Sequence, residues 1–302
     1  MKTGLEVRPA PLAAARLTDW LELTRPRIGL LVMLTTLAGF FAASAGGAFD
    51  GAAALHAMLG TGLVAGASAA LNQAIERDRD ARMRRTENRP VPAGRLGRAE
   101  AVVFGAALAA LGVVWLAFFA NALTAFLGVA SFLIYVAAYT PLKPRTSFST
   151  LVGAISGAMP PVLGWTAARG VLDLGAATLF GIMFVWQMPH FLSIAWLHRE
   201  DYARGGFPFL PVEDETGART GRQIVVWSLA LIPMTLLPAL LGMAGLGYLV
   251  AALALGIAWM VFAVRVAVRR TPGVAREAVW ASIAYLPALL AALAADRGGP
   301  LS

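Results

Sequence analysis

Asn72, Glu76 and Asp80 recur every four residues in the stretch NQAIERDRD. Four residues turn a helix by about 400°, so the three drift by only about 40° per step and share one face. Glu76 and Asp80 are then like charges stacked at a spacing that destabilises a helix unless a cation intervenes. Amide and carboxylate oxygens are hard ligands of the kind Mg²⁺ accepts, and Mg²⁺ normally completes its shell with substrate phosphates. Arg77, Arg79, Arg82, Arg84, Arg85 and Arg89 crowd the same segment, and guanidinium groups grip phosphate oxygens directly. A second polar stretch opens with His198, Arg199, Glu200, Asp201 and Arg204. Two acidic patches on one side of a molecule would clamp one diphosphate between two metal-binding poles. The competing reading is a pair of solvated helix ends, laced by pairs such as Asp78–Arg82 and Asp80–Arg84 at four-residue spacing.

The surroundings of these residues decide between the two. The chain has 302 residues, 58% hydrophobic and only 14% charged, with a mean hydropathy of +0.69; soluble domains carry about 25% charged residues. Apolar runs long enough to span a bilayer recur nine times, over 28–46, 52–71, 100–119, 122–139, 150–168, 174–197, 224–243, 246–266 and 277–295. The expectation is an all-α polytopic membrane protein. A cytoplasmic N-terminal segment with an interfacial helix (1–27) precedes a single membrane domain (28–297) and a short tail (298–302). The 31 glycines, often beside alanine, suit close helix packing in lipid. The start of the chain lacks the apolar run of a cleavable signal peptide.

The net charge of +8 is topological and not a nucleic-acid footprint. All of the 25 Lys and Arg residues except Arg169 and Arg297 fall on alternate connections. Basic residues stay on the cytoplasmic side, which places the N-terminus inside and the C-terminus outside. Both polar clusters then lie at the cytoplasmic ends of spans, with apolar helices directly beyond them. An isoprenoid diphosphate fits such a place, its head in the cluster and its tail among the helices. There are no cysteines, which excludes disulfides and thiolate metal sites. No Walker-type glycine loop, serine-hydrolase elbow or pair of metal-binding histidines at helix spacing is present. An ion transporter would place its carboxylates near the membrane midplane, and a non-catalytic assembly subunit would leave the stacked Glu76 and Asp80 without purpose.

Several separated blocks resemble the UbiA superfamily of intramembrane prenyltransferases, in its heme-modifying branch. They are LTRPRIG (23–29), NQAIERDRDARMRRTENRPVPAG (72–94), YTPLKPRT (139–146), GAMPPVLGW (157–165), PHF (189–191) and REDYARGGFPFLPV (199–212). Gln73 stands where the superfamily often has aspartate, and WQMPHF replaces the commoner doubled proline. The resemblance implies that Asn72, Glu76 and Asp80 bind Mg²⁺ and diphosphate. It also implies that Arg77, Arg85, Arg89, Lys143 and Arg145 contact the diphosphate, with Arg204 as a further substrate contact, and that Glu200 and Asp201 form a second metal pole. Asn72, Glu76, Asp80 and Asp201 are thus the expected catalytic set. The implied reaction is farnesyl transfer from farnesyl diphosphate to a vinyl group of heme B, with water addition, giving heme O for terminal oxidase biogenesis. His190, which follows Pro189 inside the sixth span, is the candidate for holding the heme. The implied location is the bacterial inner membrane. Farnesyl diphosphate, heme B and the lipid bilayer are the implied partners, with a downstream heme-modifying enzyme as a further candidate. A relative acting on an aromatic or quinone-precursor acceptor is the alternative, and the Glu76-Arg77-Asp78 form of the motif argues against it.

Overall fold

Each apolar run is helical in the computed structural model, which describes residues 16–44 and 47–296. Expectations for residues 1–15, for Arg297 and for the 298–302 tail lie outside the described residues. The elements are α1 (Leu17–Leu23), α2 (Pro26–Ala43), α3 (Gly51–Asp80), α4 (Arg98–Phe119) and α5 (Ala122–Leu133). The last of these continues through a π-helical turn (Ile134–Tyr139) into α6 (Thr140–Leu142). There follow α7 (Ser149–Gly157), α8 (Met159–Arg169), α9 (Leu174–Leu197), α10 (Arg199–Arg204), α11 (Leu210–Glu213), α12 (Ala218–Leu240), α13 (Leu246–Arg269) and α14 (Pro272–Ala295). Among the described residues, nine helical runs are long and apolar enough to cross a membrane, with α5–α6 and α7–α8 each counting as one. Large apolar side chains point outward on several of them, including Phe118 (81% exposed), Val103 (69%) and Phe126 (67%). Such a belt is stable only against hydrocarbon.

Three local features shape the polar end of the bundle. First, α3 is 30 residues long, about 45 Å at 1.5 Å per residue, against a hydrocarbon core of about 30 Å. Its last turns, carrying Asn72 to Asp80, therefore emerge where the chain turns polar. The helix ends at Asp80, and the chain then folds back through turns over 81–96. The expected pairs Asp78–Arg82 and Asp80–Arg84 do not form, because Arg82 and Arg84 lie beyond the helix and lose the four-residue geometry. Second, the π-helical turn directly precedes Pro141, which has no N–H to give and crowds the turn before it; the Thr140 hydroxyl donates to Tyr135 O at 2.8 Å. Third, the fifth span is interrupted at Ala158, after which Pro160 and Pro161 open α8.

Close backbone contact holds α8 against α2. A Cβ at Gly39 would lie 2.0 Å from Pro161 O, and one at Gly164 would lie 1.9 Å from Thr36 O. Only glycine permits that approach. Elsewhere the core is filled by large side chains from α9, α12, α13 and α14, two of them anchored by hydrogen bonds: Trp259 Nε1 donates to Ser228 Oγ at 2.9 Å, and Tyr248 OH to Thr235 O at 2.7 Å. Outside the spans, α1 is fastened to the 81–97 turns by Arg95, which reaches Asp19 at 2.7 Å and Glu22 at 3.0 Å. Leu17 and Leu21 are exposed, as an interfacial helix requires.

Candidate active site

The polar end of α3 meets α5–α6, the 81–97 turns and the α9–α11 connection around one cavity. Lys143 Nζ reaches Glu76 Oε2 at 2.8 Å, and Arg89 reaches Asp80 Oδ2 at 2.7 Å. Asn72 Nδ2 donates to Thr140 Oγ1 at 3.3 Å. Glu76 and Asp80 are 3% and 0% exposed. Each carboxylate has one oxygen on a cation and the other, Glu76 Oε1 or Asp80 Oδ1, buried without a hydrogen-bond partner. A bare buried carboxylate oxygen is costly. A ligand that supplies positive charge at both oxygens removes that cost.

The cavity has a volume of about 420 Å³. Arg25, Asp80, Arg85, Arg89 and Lys143 line its polar end, and Thr61, Val64, Leu163 and Gln187 lie deeper. Along α3 it extends from Asp80 to Thr61, about 28 Å by helix rise. Ile28 and Phe191 line it and are 52% and 37% exposed, so it also reaches the flank of the bundle between α2 and α9. Tyr135 and Tyr139, their ring centroids 5.1 Å apart, face it from the widened turn of the π-helix. A long apolar chain with an anionic head is the shape this space accepts.

The expected site residues divide into those this end of the bundle gathers and those it does not. Asn72, Asp80, Arg85, Arg89 and Lys143 line the cavity. Glu76 lies behind them, between the cavity and a smaller pocket of about 280 Å³ that it shares with Arg79 and Arg145. Arg145 is thus on the far side of Glu76 from the cavity. Arg77 is exposed and lines neither space, since it sits 100° around α3 from Glu76. Glu200 is exposed on α10.

Asp201 has a different place from the expected metal pole. Its Oδ1 accepts from Arg84 N and its Oδ2 from Arg85 N, both at 3.2 Å, and Arg204 pairs with the same carboxylate. Burial alone would raise its pKa, but these donors hold it below the usual carboxylate value. Both oxygens are engaged, so Asp201 acts as a clamp between α10 and the 81–97 turns. Arg204 belongs to that clamp and not to the cavity wall.

His190, the candidate for holding the heme, sits on another face of α9 from the cavity. It faces α14, where its Nδ1 lies 2.6 Å from Ser282 Oγ, and it stacks on Trp186. Ser282 Oγ also lies 2.7 Å from Val279 O, so Nδ1 is held on the α14 side. His190 does not line the cavity, although its neighbour Phe191 does.

Four residues that the sequence reading did not single out complete the site: Arg25, Tyr135, Tyr139 and Tyr202. Arg25 precedes α2 with φ 52°, a left-handed backbone that costs a non-glycine residue about 1 kcal/mol or more. Its Nε is buried without a partner, and it stands close enough to Arg89 that, after burial, it contributes to lowering the Arg89 pKa. Arg89 has Asp80 as its counter-ion, and the neighbouring Arg25 has none among the described residues, an arrangement that calls for an anion. Tyr202 receives a hydrogen bond from Arg85 at 3.3 Å. The Arg-Pro step in LTRPRIG was the available signal for Arg25, and the Pro141 that follows the tyrosines was the signal for the widened turn.

The sequence profile of the UbiA prenyltransferase family matches residues 32–295. The chain belongs to the UbiA prenyltransferase family. Within it, the chain is 47% identical over 289 residues to the protoheme IX farnesyltransferase of Solibacter usitatus (strain Ellin6076), covering 93% of this chain and 99% of that protein. It is 45% identical over 282 residues to the protein of the same name from Myxococcus xanthus (strain DK1622), covering 93% and 95%. UbiA-type folds among solved structures align along nearly the whole length. A digeranylgeranylglyceryl phosphate synthase matches with a TM-score of 0.76 at 17% identity, covering 93% of this chain and 98% of that one. A UbiA homologue from Archaeoglobus fulgidus bound to GPP and Mg²⁺ matches with a TM-score of 0.65 at 18% identity, covering 91% and 99%.

Among the described residues no three acidic or histidine side chains converge on one point. The UbiA site here therefore offers two unpartnered carboxylate oxygens and an amide, too few to enclose a metal. That set fits Mg²⁺, which takes one or two carboxylates and fills its shell with water and substrate phosphate.

Proposed function

We propose that this chain transfers the farnesyl group of farnesyl diphosphate to a vinyl group of heme B, with addition of water, to give heme O. The observation that carries the proposal is a bare Asp80 oxygen and an unpartnered Arg25 Nε at the polar end of a long cavity, with the bare Glu76 oxygen behind them. The names of the relatives support the choice of acceptor. The reaction takes place at the cytoplasmic face of the bacterial inner membrane, N-terminus inside, a reading that the distribution of arginines supports.

Asn72, Glu76 and Asp80 would hold Mg²⁺, which when bound neutralises charge on the diphosphate leaving group. Arg25, Arg85 and Arg89 bind the remaining phosphate oxygens, and Lys143 holds Glu76 in place from the cavity side. As the C1–O bond breaks, its electron pair leaves with diphosphate and C1 becomes allyl-cation-like. The faces of Tyr135 and Tyr139 stabilise that cation by their negative quadrupoles. The apolar walls exclude bulk water until the vinyl carbon attacks C1. The acceptor enters through the flank between Ile28 and Phe191, and His190, which precedes Phe191 on α9, is the residue proposed to hold it.

Incubation of the purified protein with heme B, farnesyl diphosphate and Mg²⁺ is expected to yield heme O by mass. Equal product without the protein overturns the reading. Arg25→Gln is expected to weaken binding of a non-hydrolysable farnesyl diphosphate analogue about tenfold, the effect of one charge-assisted contact, in a calorimetric titration. His190→Ala is expected to abolish transfer to heme B and leave analogue binding within about twofold, a value inside the scatter of surface substitutions. Normal heme O formation by that variant rules out an essential role for His190.

A further inference from the structure

Gln187 is the one deeply placed amide on the cavity wall, and neither the metal set nor the diphosphate contacts use it. It is 3% exposed and lies in the middle of α9. Its Nε2 donates to Ala154 O at 3.1 Å and to Met183 O at 2.9 Å. Both amide hydrogens are thereby committed to main-chain carbonyls, and the flipped amide would set oxygen against oxygen at both. The orientation leaves Oε1 as an acceptor that receives no hydrogen bond from the protein.

The neighbouring helix is cut away to admit this oxygen. A Cβ at Gly157 would lie 2.0 Å from Gln187 Oε1, and a Cβ at Gly153 would lie 2.8 Å from the Tyr139 ring. Both glycines line the cavity. Gly153 and Gly157 are one helical turn apart on α7, so Oε1 sits about 6 Å beyond Tyr139 along the cavity. The metal-binding set lies on the other side of Tyr139, at the polar end. Two serine hydroxyls on this wall are already engaged as donors: Ser156 Oγ donates to Gly153 O at 2.9 Å, and Ser131 Oγ to Ser156 O at 3.4 Å.

We infer that Gln187 Oε1 holds the water that ends the reaction. The inference rests on the farnesyl-transfer reading above. When the vinyl group attacks C1, its two electrons form the new carbon–carbon bond and diphosphate departs with the electrons of the C1–O bond. The former vinyl carbon attached to the porphyrin is left as a cation. A water donating one hydrogen to Oε1 directs an oxygen lone pair at that carbon. The carbon–oxygen bond forms, and the second water proton passes to the released diphosphate. Without an oriented water, the same cation loses a proton from the adjacent CH₂ and closes to an alkene. Gln187 thus decides between alcohol and alkene after the carbon–carbon bond exists.

The test is product partition, which a merely structural role does not move. Gln187→Met keeps length and apolar bulk but removes the amide, while Gly157→Ala leaves Gln187 in place and drives a methyl group against Oε1. Heme B, farnesyl diphosphate and Mg²⁺ are supplied to each, and the farnesylated hemes are separated by mass, the alkene being lighter by one water. Both variants are expected to raise the alkene-to-alcohol ratio about tenfold, the effect of losing one hydrogen bond to the reacting water. An unchanged ratio in Gly157→Ala overturns the assignment even if Gln187→Met does not fold. Equal loss of both products from folded variants also overturns it, since Gln187 would then serve carbon–carbon bond formation. If the wild-type protein makes no farnesylated heme, the farnesyl-transfer reading falls and this inference falls with it. Heme O at the wild-type ratio from both variants removes the role of Gln187 alone.

Discussion

Asp80→Asn and Glu76→Gln each lower turnover by a factor of about a hundred or more, comparable to the loss of one preorganised electrostatic contact. Both substitutions keep volume and remove charge. In each case two things change together. The oxygen that lacks a partner no longer carries the charge that a divalent cation requires. The cation on the other oxygen, Arg89 or Lys143, is left without its counter-ion in a buried place, which costs about 3–5 kcal/mol when a buried pair is broken. Mg²⁺ titration of the residual activity separates the two: loss of a ligand raises the Mg²⁺ concentration for half-maximal rate, whereas a misplaced arginine alone does not. Asp78→Asn is the internal control. Asp78 is exposed and about 200° around α3 from Glu76, so its loss is expected to be mild. Arg84→Ala is a second control, because the protein uses the Arg84 main-chain N–H and leaves its side chain exposed. Full and equally Mg²⁺-dependent activity in Asp80→Asn would remove the metal assignment.

Asp201→Asn is expected to lower both stability and diphosphate affinity without changing the Mg²⁺ requirement. The carboxylate accepts from two main-chain N–H groups and one guanidinium. An amide brings its own hydrogens against those donors, so a loss of about 2–3 kcal/mol is expected for a charged acceptor that is nearly buried. Arg85 and Arg89 lie on the turns that the clamp holds, so their aim at the cavity loosens as well. Thermal unfolding in detergent and analogue binding read the two effects. A raised Mg²⁺ requirement with unchanged stability would instead return Asp201 to the metal. The clamp also has a pH signature. The folded-state pKa of Asp201 is lowered, so its contribution is complete above the unfolded value of about 3.9 and is lost as pH falls through the folded value. Wild-type stability should therefore decline through that acidic window more steeply than that of Asp201→Asn.

Local periodicity and composition determined a good deal of this protein. Apolar runs of bilayer length can only be helices, and all nine are present. The four-residue recurrence of Asn72, Glu76 and Asp80 fixed their common face wherever the rest of the chain went, and all three are buried together at the polar end of α3. The placement of the arginines fixed which ends of the spans are basic. Span edges were less legible: α3 runs nine residues past the apolar stretch ending at 71, because a helix continues through charged residues until its hydrogen bonding is broken, here after Ala81.

Only the tertiary structure decided which charges meet. Glu76 takes Lys143 from 67 positions away, and Asp80 takes Arg89 from beyond a chain reversal; sequence spacing carries no information about partners brought together by folding. Asp201 looked like a ligand because carboxylate chemistry is the same in a metal site and in a clamp. Two main-chain N–H groups that no side-chain pattern can announce meet its oxygens in the folded protein. The sequence names His190 as the candidate for holding the heme, but a helix face is set by its neighbours, and only the structure shows Ser282 of α14 at its Nδ1. Gln187 was invisible for the same reason. An amide in an apolar run says nothing until the structure shows both of its hydrogens committed and a glycine opposite its oxygen.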